Sequence, residues 1–509
     1  MVSLWEFINE ADILEEVLMR ERREDKINVA VLDFGSSAIK LAVAEKMVTG
    51  EEPFRTIYLD SEPAEGAVQR GVVFNLSETS EKVRKLLQRA EAELGVEVAH
   101  LYASISGQGL HSLLIRQVEE YDAPHEITQG DIERLWSKIE EPDGKFFLNA
   151  DFARFSVNGS SVLRPVGVKA MKLQVSIQTV VTDSMVTDNV EEVLLHKLDL
   201  ELEPYLVGVV ELSKRVLTTE QKRIGSALVD FGAETTTVAY FNHGVLESLR
   251  VIPMGGSQIT YDLTDLDISP EEAERVKIAH GSLSLDTSDK EELIVKAPDM
   301  RTDKRVSRYN VNQYIEARTH EIVDNIKAVI ARAKAGNGDD KLPGGMVITG
   351  GASKLSGLPE YLKEKWGGEL SVKQVSPAFF SDGGNQELTA NSEFHTLYAM
   401  LFVANVDVAK RHEVEEPIVA QESTVSEEPT IHIVEEEGDL MNQPGVLPFD
   451  EEDLKPQVEP VTKEKPRREK PAKPKKEKSK GGSLLGRLIG LKDLFVMADD
   501  DSNFSDDEE

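Results

Sequence analysis

The sequence predicts an α/β protein whose folded body is organised around a duplicated strand-turn-strand unit, and three observations predict it. The first is the repetition itself: VAVLDFGSSAIKLAVAE at Val29–Glu45 returns as SALVDFGAETTTVAYFN at Ser226–Asn242. The second is the alternation of apolar β-type runs with helical periods from Ile27 to Val408, the pattern of α/β architecture. The third is GGMVITGGASKLSGLPEYLKEKW at Gly344–Trp366, which reads as an apolar strand, a Gly-Gly pair and a helix beginning near Ser353.

Each copy of the repeat is a strand, Asp-Phe-Gly, a hydroxyl-rich turn and a second strand. A tight hairpin lined with hydroxyls and backbone N–H groups is shaped to hold phosphate, and Asp33 and Asp230 are placed to orient a hydrated magnesium ion. Two facing copies would clamp one nucleotide. Taken singly, either copy also reads as an ordinary hairpin whose glycine serves the turn. In the third segment Gly350 and Gly351 let backbone approach a flat ligand closely, and the N–H groups that follow are free to receive it. A purine nucleoside fits that geometry.

Composition bounds the rest. At 509 residues the chain exceeds one hydrophobic core. It holds no cysteine, which excludes disulfides and thiolate chemistry and fits a reducing compartment. The formal net charge of −34 argues against a nucleic-acid partner. The acidic N-terminus has no uninterrupted apolar core and reads as neither signal nor transit peptide; Leu4, Ile8, Leu14, Val17 and Leu18 suggest a short amphipathic helix there. No stretch is apolar and long enough to span a bilayer.

After the body the character changes. Glu413–Asp453 is rich in Glu, Pro, Val and Gln, and Lys463–Lys480 carries ten Lys or Arg against three Glu, with three prolines. Neither block has the apolar content to fold, so a disordered linker is expected. GGSLLGRLIGLKDLFVM follows, in which Leu484, Leu488, Leu491 and Phe495 share one helical arc, flanked by Leu485 and Val496 and opposed by Asp493. This reads as an interfacial membrane helix, with Arg487 and Lys492 placed to snorkel toward anionic headgroups; docking in a protein groove is the other reading. An acidic tail ends the chain.

Phosphate hairpin, second phosphate hairpin and Gly-Gly loop, in that order, resemble the actin, Hsp70 and sugar kinase superfamily. Within it, RGVVFNLSETSEKVRKLLQRAEAELGVEVAHLYASISGQGLHS at Arg70–Ser112 and Ala273-Glu274-Arg275-Val276-Lys277 with Gly281 resemble the bacterial cell-division protein family FtsA. The resemblance implies an actin-like two-lobed ATPase fold: an N-terminal extension (1–26), a first lobe (27–97 and 183–225), an inserted SHS2-type subdomain (98–182) and a second lobe (226–408) with a smaller subdomain at about 258–335. A linker (409–482), the amphipathic helix (483–497) and the tail (498–509) complete it. It implies ATP and Mg2+ held by Asp33, Gly35, Ser36, Ser37, Lys40, Asp230, Gly232, Thr235, Thr236, Glu274, Lys277, Gly350, Gly351 and Ala352, with Asp33 and Asp230 toward the metal.

The same resemblance implies filaments on the cytoplasmic side of the cell membrane at the division septum, with the tubulin-like ring protein FtsZ tethered by its C-terminal peptide. Arg308, Arg318 and Glu321 are the residues expected to meet that peptide, and the insert is expected to meet other division proteins. Two departures bear on chemistry. The family's Asp-Ile-Gly-Gly-Gly-Thr turn is here Asp230-Phe231-Gly232-Ala233-Glu234-Thr235, which brings a carboxylate toward phosphate unless it turns outward or reaches magnesium. Where relatives place a Glu or Gln to orient attacking water, this chain has Gly208, with Glu211 one turn on. No general base is visible, so binding with slow or absent hydrolysis is expected. A pilus-assembly actin homologue and a sugar or acid kinase are the alternative readings.

Overall fold

The computed structural model describes residues 26–47, 54–139, 142–162, 164–284, 287–299, 301–334, 340–380 and 385–409. The N-terminal extension up to residue 25, the linker from residue 410, the amphipathic helix and the acidic tail lie outside the described residues.

The sequence repeat becomes a repeat of topology. The first hairpin, Lys26–Phe34 with Ala38–Met47, continues antiparallel into Arg55–Pro63, while His100–Ala103 and then Glu201–Leu202 add in parallel on its other side. The second hairpin, Ser226–Phe231 with Thr236–Asn242, continues antiparallel into Val245–Ile252, while Met346–Thr349 and then Val372–Gln374 add in parallel. Two sheets thus share one strand order. This is the actin-like α/β arrangement.

Both faces of each sheet are covered, which is why the strands read as near-continuous apolar runs. Successive side chains alternate between faces. In the first hairpin Ala30, Leu32 and Phe34 pack with Val83, Leu86 and Ala90 of the helix Leu76–Leu94. Val29 and Val31 pack on the opposite side with Leu397, Tyr398 and Leu401. In the second hairpin Ala227, Val229 and Phe231 meet Ile322, Val323 and Ile326 of the long helix Arg308–Ala333.

Between Ala103 and Ser184 the chain leaves the first sheet to build a second layer. Strands His111–Glu126, Lys169–Asp183, Lys145–Val157 and Ser160–Val162 form it, with the helix Gln129–Ser137 over one face. Thr128 and Asp131 close a reciprocal capping box that starts this helix. The layer joins the second sheet edge to edge, at Arg250 opposite His111, and Leu249 N–H donates to Ser112 Oγ at 2.9 Å. His100–Ala103, expected in the insert, is instead a strand of the first sheet.

The last helix corrects the assignment of residues up to 408 to the second lobe. His395–Val403 packs on the first sheet because it is apolar nearly all round, sandwiched between that sheet and the helix Gly208–Val216. Gly208 is needed at this crossing: a Cβ there would lie 2.9 Å from Thr396 Cβ. The helix ends on Lys46, whose buried ammonium donates to the carbonyls of Leu401, Phe402 and Ala404 at 3.2, 2.7 and 2.6 Å. Val408 then bonds Asn28, and Ala99 bonds Val408, so the chain leaves the described body from the first sheet.

Candidate functional site

Both Asp-Phe-Gly turns, the Gly-Gly loop and the helix Pro270–His280 open onto one cavity of about 740 Å3, a size that holds a small organic ligand. Of the residues expected to bind nucleotide, Asp33, Gly35, Ser36, Ser37, Lys40, Asp230, Gly232, Thr235, Glu274, Lys277, Gly350, Gly351 and Ala352 line it. Thr236 does not. It is fully buried, with its hydroxyl donating to Met254 O at 2.9 Å. The period-two alternation of a strand carries Thr235 and Thr237 to the cavity and turns Thr236 to the interior.

Each turn is shaped by its glycine. A Cβ on Gly35 would lie 2.7 Å from Ala38 O, and one on Gly232 would lie 2.9 Å from Thr235 O, the carbonyl that accepts Gly232 N–H at 2.8 Å. In the first turn Ser104 Oγ donates to Asp33 Oδ1 at 2.5 Å and Lys40 Nζ stands 3.3 Å from Asp33 Oδ2. Asp33 is therefore fixed and charge-compensated. Asp230, in the second turn, is lifted to about 6 by desolvation, with Asp33's charge adding to the rise and Lys40 opposing it. The two carboxylates and the lysine form one electrostatic group facing the cavity.

Gly350 passes directly against Asp230. Its φ is +89°, and a Cβ would lie 2.2 Å from Asp230 Oδ1 and 2.4 Å from Phe231 O. Its carbonyl accepts the hydroxyls of Ser353 at 2.7 Å and Ser392 at 2.8 Å, which fixes the loop. Behind it His395 is buried and held neutral, since desolvation lowers its pKa. Nε2–H donates to Thr389 O at 3.0 Å, leaving Nδ1 to accept from Thr349 Oγ1 at 2.8 Å. Gly351 has open space where a Cβ would stand. The α-helix expected from near Ser353 begins only at Leu358, because Gly351–Lys354 is a tight 3-10 turn whose next helical start waits for Gly357 at φ +81°.

On the second sheet's outer side, Lys277 Nζ donates to Gly256 O at 2.9 Å and Thr260 Oγ1 at 2.8 Å, and pairs with Glu274 at 2.6 Å. Thr260 in turn hydrogen-bonds Glu274. Ile278, largely exposed, adds an apolar surface to the cavity wall. Sequence reasoning did not single out Ile278, Ser104 or Lys354, which also line the cavity. Ser104 follows the strand His100–Ala103 beside the first turn, and Lys354 lies within the Gly-Gly segment paired to Glu393 at 2.5 Å; their place depends on long-range pairing rather than local pattern.

The donor set is one that magnesium would fit. Among the described residues no cluster of three or more His, Cys, Asp or Glu side chains is placed to hold a metal ion, so a magnesium ion here would take two carboxylates, from Asp33 and Asp230, and the remainder from phosphate and water. That division suits Mg2+, which keeps several waters and binds through one or two carboxylates plus substrate phosphates.

Two other expected features are positioned differently from a free site. Glu234 does not line the cavity; its Oε2 accepts the Arg70 N–H at 2.5 Å. Arg318 pairs with Asp262 at 2.7 and 2.9 Å and with Glu321 at 2.5 Å, and Arg308 pairs with Asp289 at 2.6 Å and Glu291 at 2.7 Å. The three residues expected to meet a partner peptide share the long helix but already carry internal ion pairs. Leu484, Leu485, Arg487, Leu488, Leu491, Lys492 and Phe495 lie outside the described residues, and no helix among the described residues is long and apolar enough to cross a membrane.

Comparison with known proteins follows the same line. Residues 227–399 match the family model described as cell division protein FtsA. The FtsA of Neisseria meningitidis is 27% identical over 382 residues, covering 74% of this chain and 90% of the relative. That of Bacillus subtilis is 28% identical over 369 residues, covering 70% and 80%. Among solved structures, one titled PilM-PilN type IV pilus biogenesis complex covers 74% of this chain and 98% of its own, at 18% identity and a TM-score of 0.49. The matched segment contains the second Asp-Phe-Gly turn and the Gly-Gly loop, and over these residues and the lengths covered by the relatives the chain is similar to the FtsA family of cell-division proteins.

Proposed function

We propose that this chain binds one magnesium-complexed adenine nucleotide in the cleft and uses the bound state as a switch for assembly rather than as a fuel. The observation that supports this most is the convergence of both Asp-Phe-Gly turns and the Gly350 loop on one cavity. The hydroxyls of Ser36 and Ser37 and the Lys40 ammonium face the phosphate end, while Glu274, Lys277 and Ile278 line the nucleoside end and Gly351 leaves room for a flat base. Magnesium, held by Asp33 and Asp230, would neutralise polyphosphate charge.

Slow or absent hydrolysis is supported by what the helix Gly208–Val216 shows to the cavity. Val207, Gly208 and Val209 line it, none with a titratable group, whereas Glu211 is buried and bound by Lys214 at 2.9 and 3.0 Å. No carboxylate or amide from this helix stands where attacking water would be oriented. Phosphate release by the full chain with lipid vesicles present should therefore stay near background. Turnover like that of an active kinase, lost in Asp230→Ala, would contradict the switch reading.

The nucleotide-bound protein is proposed to polymerise on the cytoplasmic face of the cell membrane as a peripheral protein, held by residues 483–497, to tether FtsZ through the Arg308–Glu321 region, and to recruit division proteins through the inserted layer. Similarity to the FtsA family, the amphipathic pattern of that segment and its distance in sequence from the body support this. Because Arg318 is already paired with Asp262 and Glu321, an acidic peptide would have to exchange with those carboxylates. The intact chain should float with anionic vesicles and a chain truncated after Lys480 should not; equal flotation, or none in either, removes the anchor.

A further inference from the structure

Glu234 stands where the family's turn carries glycine, and its side chain crosses to the first lobe. Its donor is the tip of a small hairpin, Val68–Gln69 with Val72–Val73. At that tip Arg70 and Gly71 both adopt left-handed backbone, at φ +50° and +71°. The conformation turns two successive N–H groups toward the cleft. Arg70 N–H donates to Glu234 Oε2 at 2.5 Å, and Gly71 N–H donates to Ser36 Oγ at 2.8 Å. One dipeptide thus bonds both phosphate hairpins.

The tip itself is packed on Ser106–Gln108, the segment that leads from the first sheet into the inserted layer. A Cβ on Gly71 would lie 2.6 Å from Gly107 Cα, and one on Gly107 would lie 2.2 Å from Arg70 O. Gln108 N–H donates to Arg70 O at 2.9 Å. Arg70 is not glycine, so its left-handed backbone costs energy that this packing must hold. Any opening of the cleft that leaves the tip on Ser106-Gly107 must break the Glu234 bond.

We propose that Glu234 is an inter-lobe strap: its carboxylate, bound to the Arg70 N–H, holds the two phosphate hairpins together across the cleft mouth and limits how fast nucleotide enters and leaves. A hydrogen bond from a backbone N–H to a carboxylate is charge-assisted, stronger than a neutral one, and its loss is large enough to change an opening rate roughly tenfold. The strap also explains how a carboxylate is tolerated beside a phosphate turn, since it faces away from the cavity.

The test has two arms on the full chain. The chain has no cysteine, so Gln88→Cys and Gln313→Cys, exposed positions on the helices Leu76–Leu94 and Arg308–Ala333, accept a spin-label pair that reports lobe separation without nucleotide. Glu234→Ala should broaden and lengthen the distance distribution, and Glu234→Gln, which still accepts the bond, should stay close to the parent. In the second arm, which rests on the nucleotide reading above, a fluorescent ATP analogue with magnesium should both bind and dissociate roughly tenfold faster in Glu234→Ala, with Kd moving less than either rate. Superimposable distances for the alanine variant and the parent would overturn the strap. A tighter Kd with slower release would do so as well, because Glu234 would then act by repelling phosphate. Failure of every variant to bind nucleotide, with the distances still separating, would count against the nucleotide reading and leave the strap standing.

Discussion

Replacing Asp230 with asparagine is expected to stabilise the nucleotide-free protein at neutral pH while removing magnesium-dependent nucleotide binding. The carboxyl is pushed to about 6 by desolvation first and by Asp33 second, from an ordinary value of 3.8. Between those two values the folded protein holds a proton that the unfolded chain has released, so stability falls as pH rises through the window. Above it, the ionised carboxylate is a net cost on the order of 3 kcal/mol. Asparagine keeps the shape without the charge. Thermal or denaturant unfolding of the two proteins should show Asp230→Asn the more stable at pH 7.5, the difference shrinking as pH falls toward 4. Affinity for the magnesium nucleotide should drop roughly 30-fold or more, the scale for deleting one charged partner in a desolvated site. A variant less stable than its parent at neutral pH would show that Asp230 serves the fold rather than the ligand.

Gly350→Ala should be the most damaging single methyl in the molecule's cleft. The new Cβ would have to share space with Asp230 Oδ1 and Phe231 O, at 2.2 and 2.4 Å, on a backbone at φ +89°. Overpacking and left-handed strain together cost about 2–5 kcal/mol, and relief requires moving Asp230 itself. Gly351→Ala is the informative partner, because its Cβ meets nothing within 4 Å and its backbone is not left-handed. The first variant should lose both stability and nucleotide binding; the second should keep its unfolding transition and lose affinity only. Equal behaviour of the two would mean that close approach to Asp230 is not what Gly350 serves.

These two positions also show how much of the site was legible in the sequence. Asp33, Asp230, Gly350 and Gly351 are carried by local pattern, a strand ending in a turn that only certain residues permit, and all four meet at the cavity. Thr236 shows the limit of that pattern: three successive threonines look alike in sequence, and only the alternation of the strand decides that the middle one is buried. Lys46 and the helix His395–Val403 were not legible, because an apolar helix says that it is buried and not against which sheet. The same holds for Glu234. Its departure from glycine was visible, but its partner is the backbone of Arg70, and a backbone N–H leaves no trace in sequence.

The fold was the more legible part because duplication supplies its own internal control. Two Asp-Phe-Gly hairpins with the same register give two sheets with the same strand order. The insert was harder to bound. His100–Ala103 has the composition of any buried strand, and only its parallel pairing with Val31 and Leu32 assigns it to the first sheet.

Calorimetric titration of the full chain with ATP, in magnesium and then with magnesium chelated, tests the central claim most directly. The cleft as described should give saturable binding of one nucleotide per chain, lost or strongly weakened on chelation and in Asp230→Asn. No heat of binding at millimolar nucleotide, or binding indifferent to both magnesium and Asp230, would contradict a nucleotide clamp built from the two hairpins.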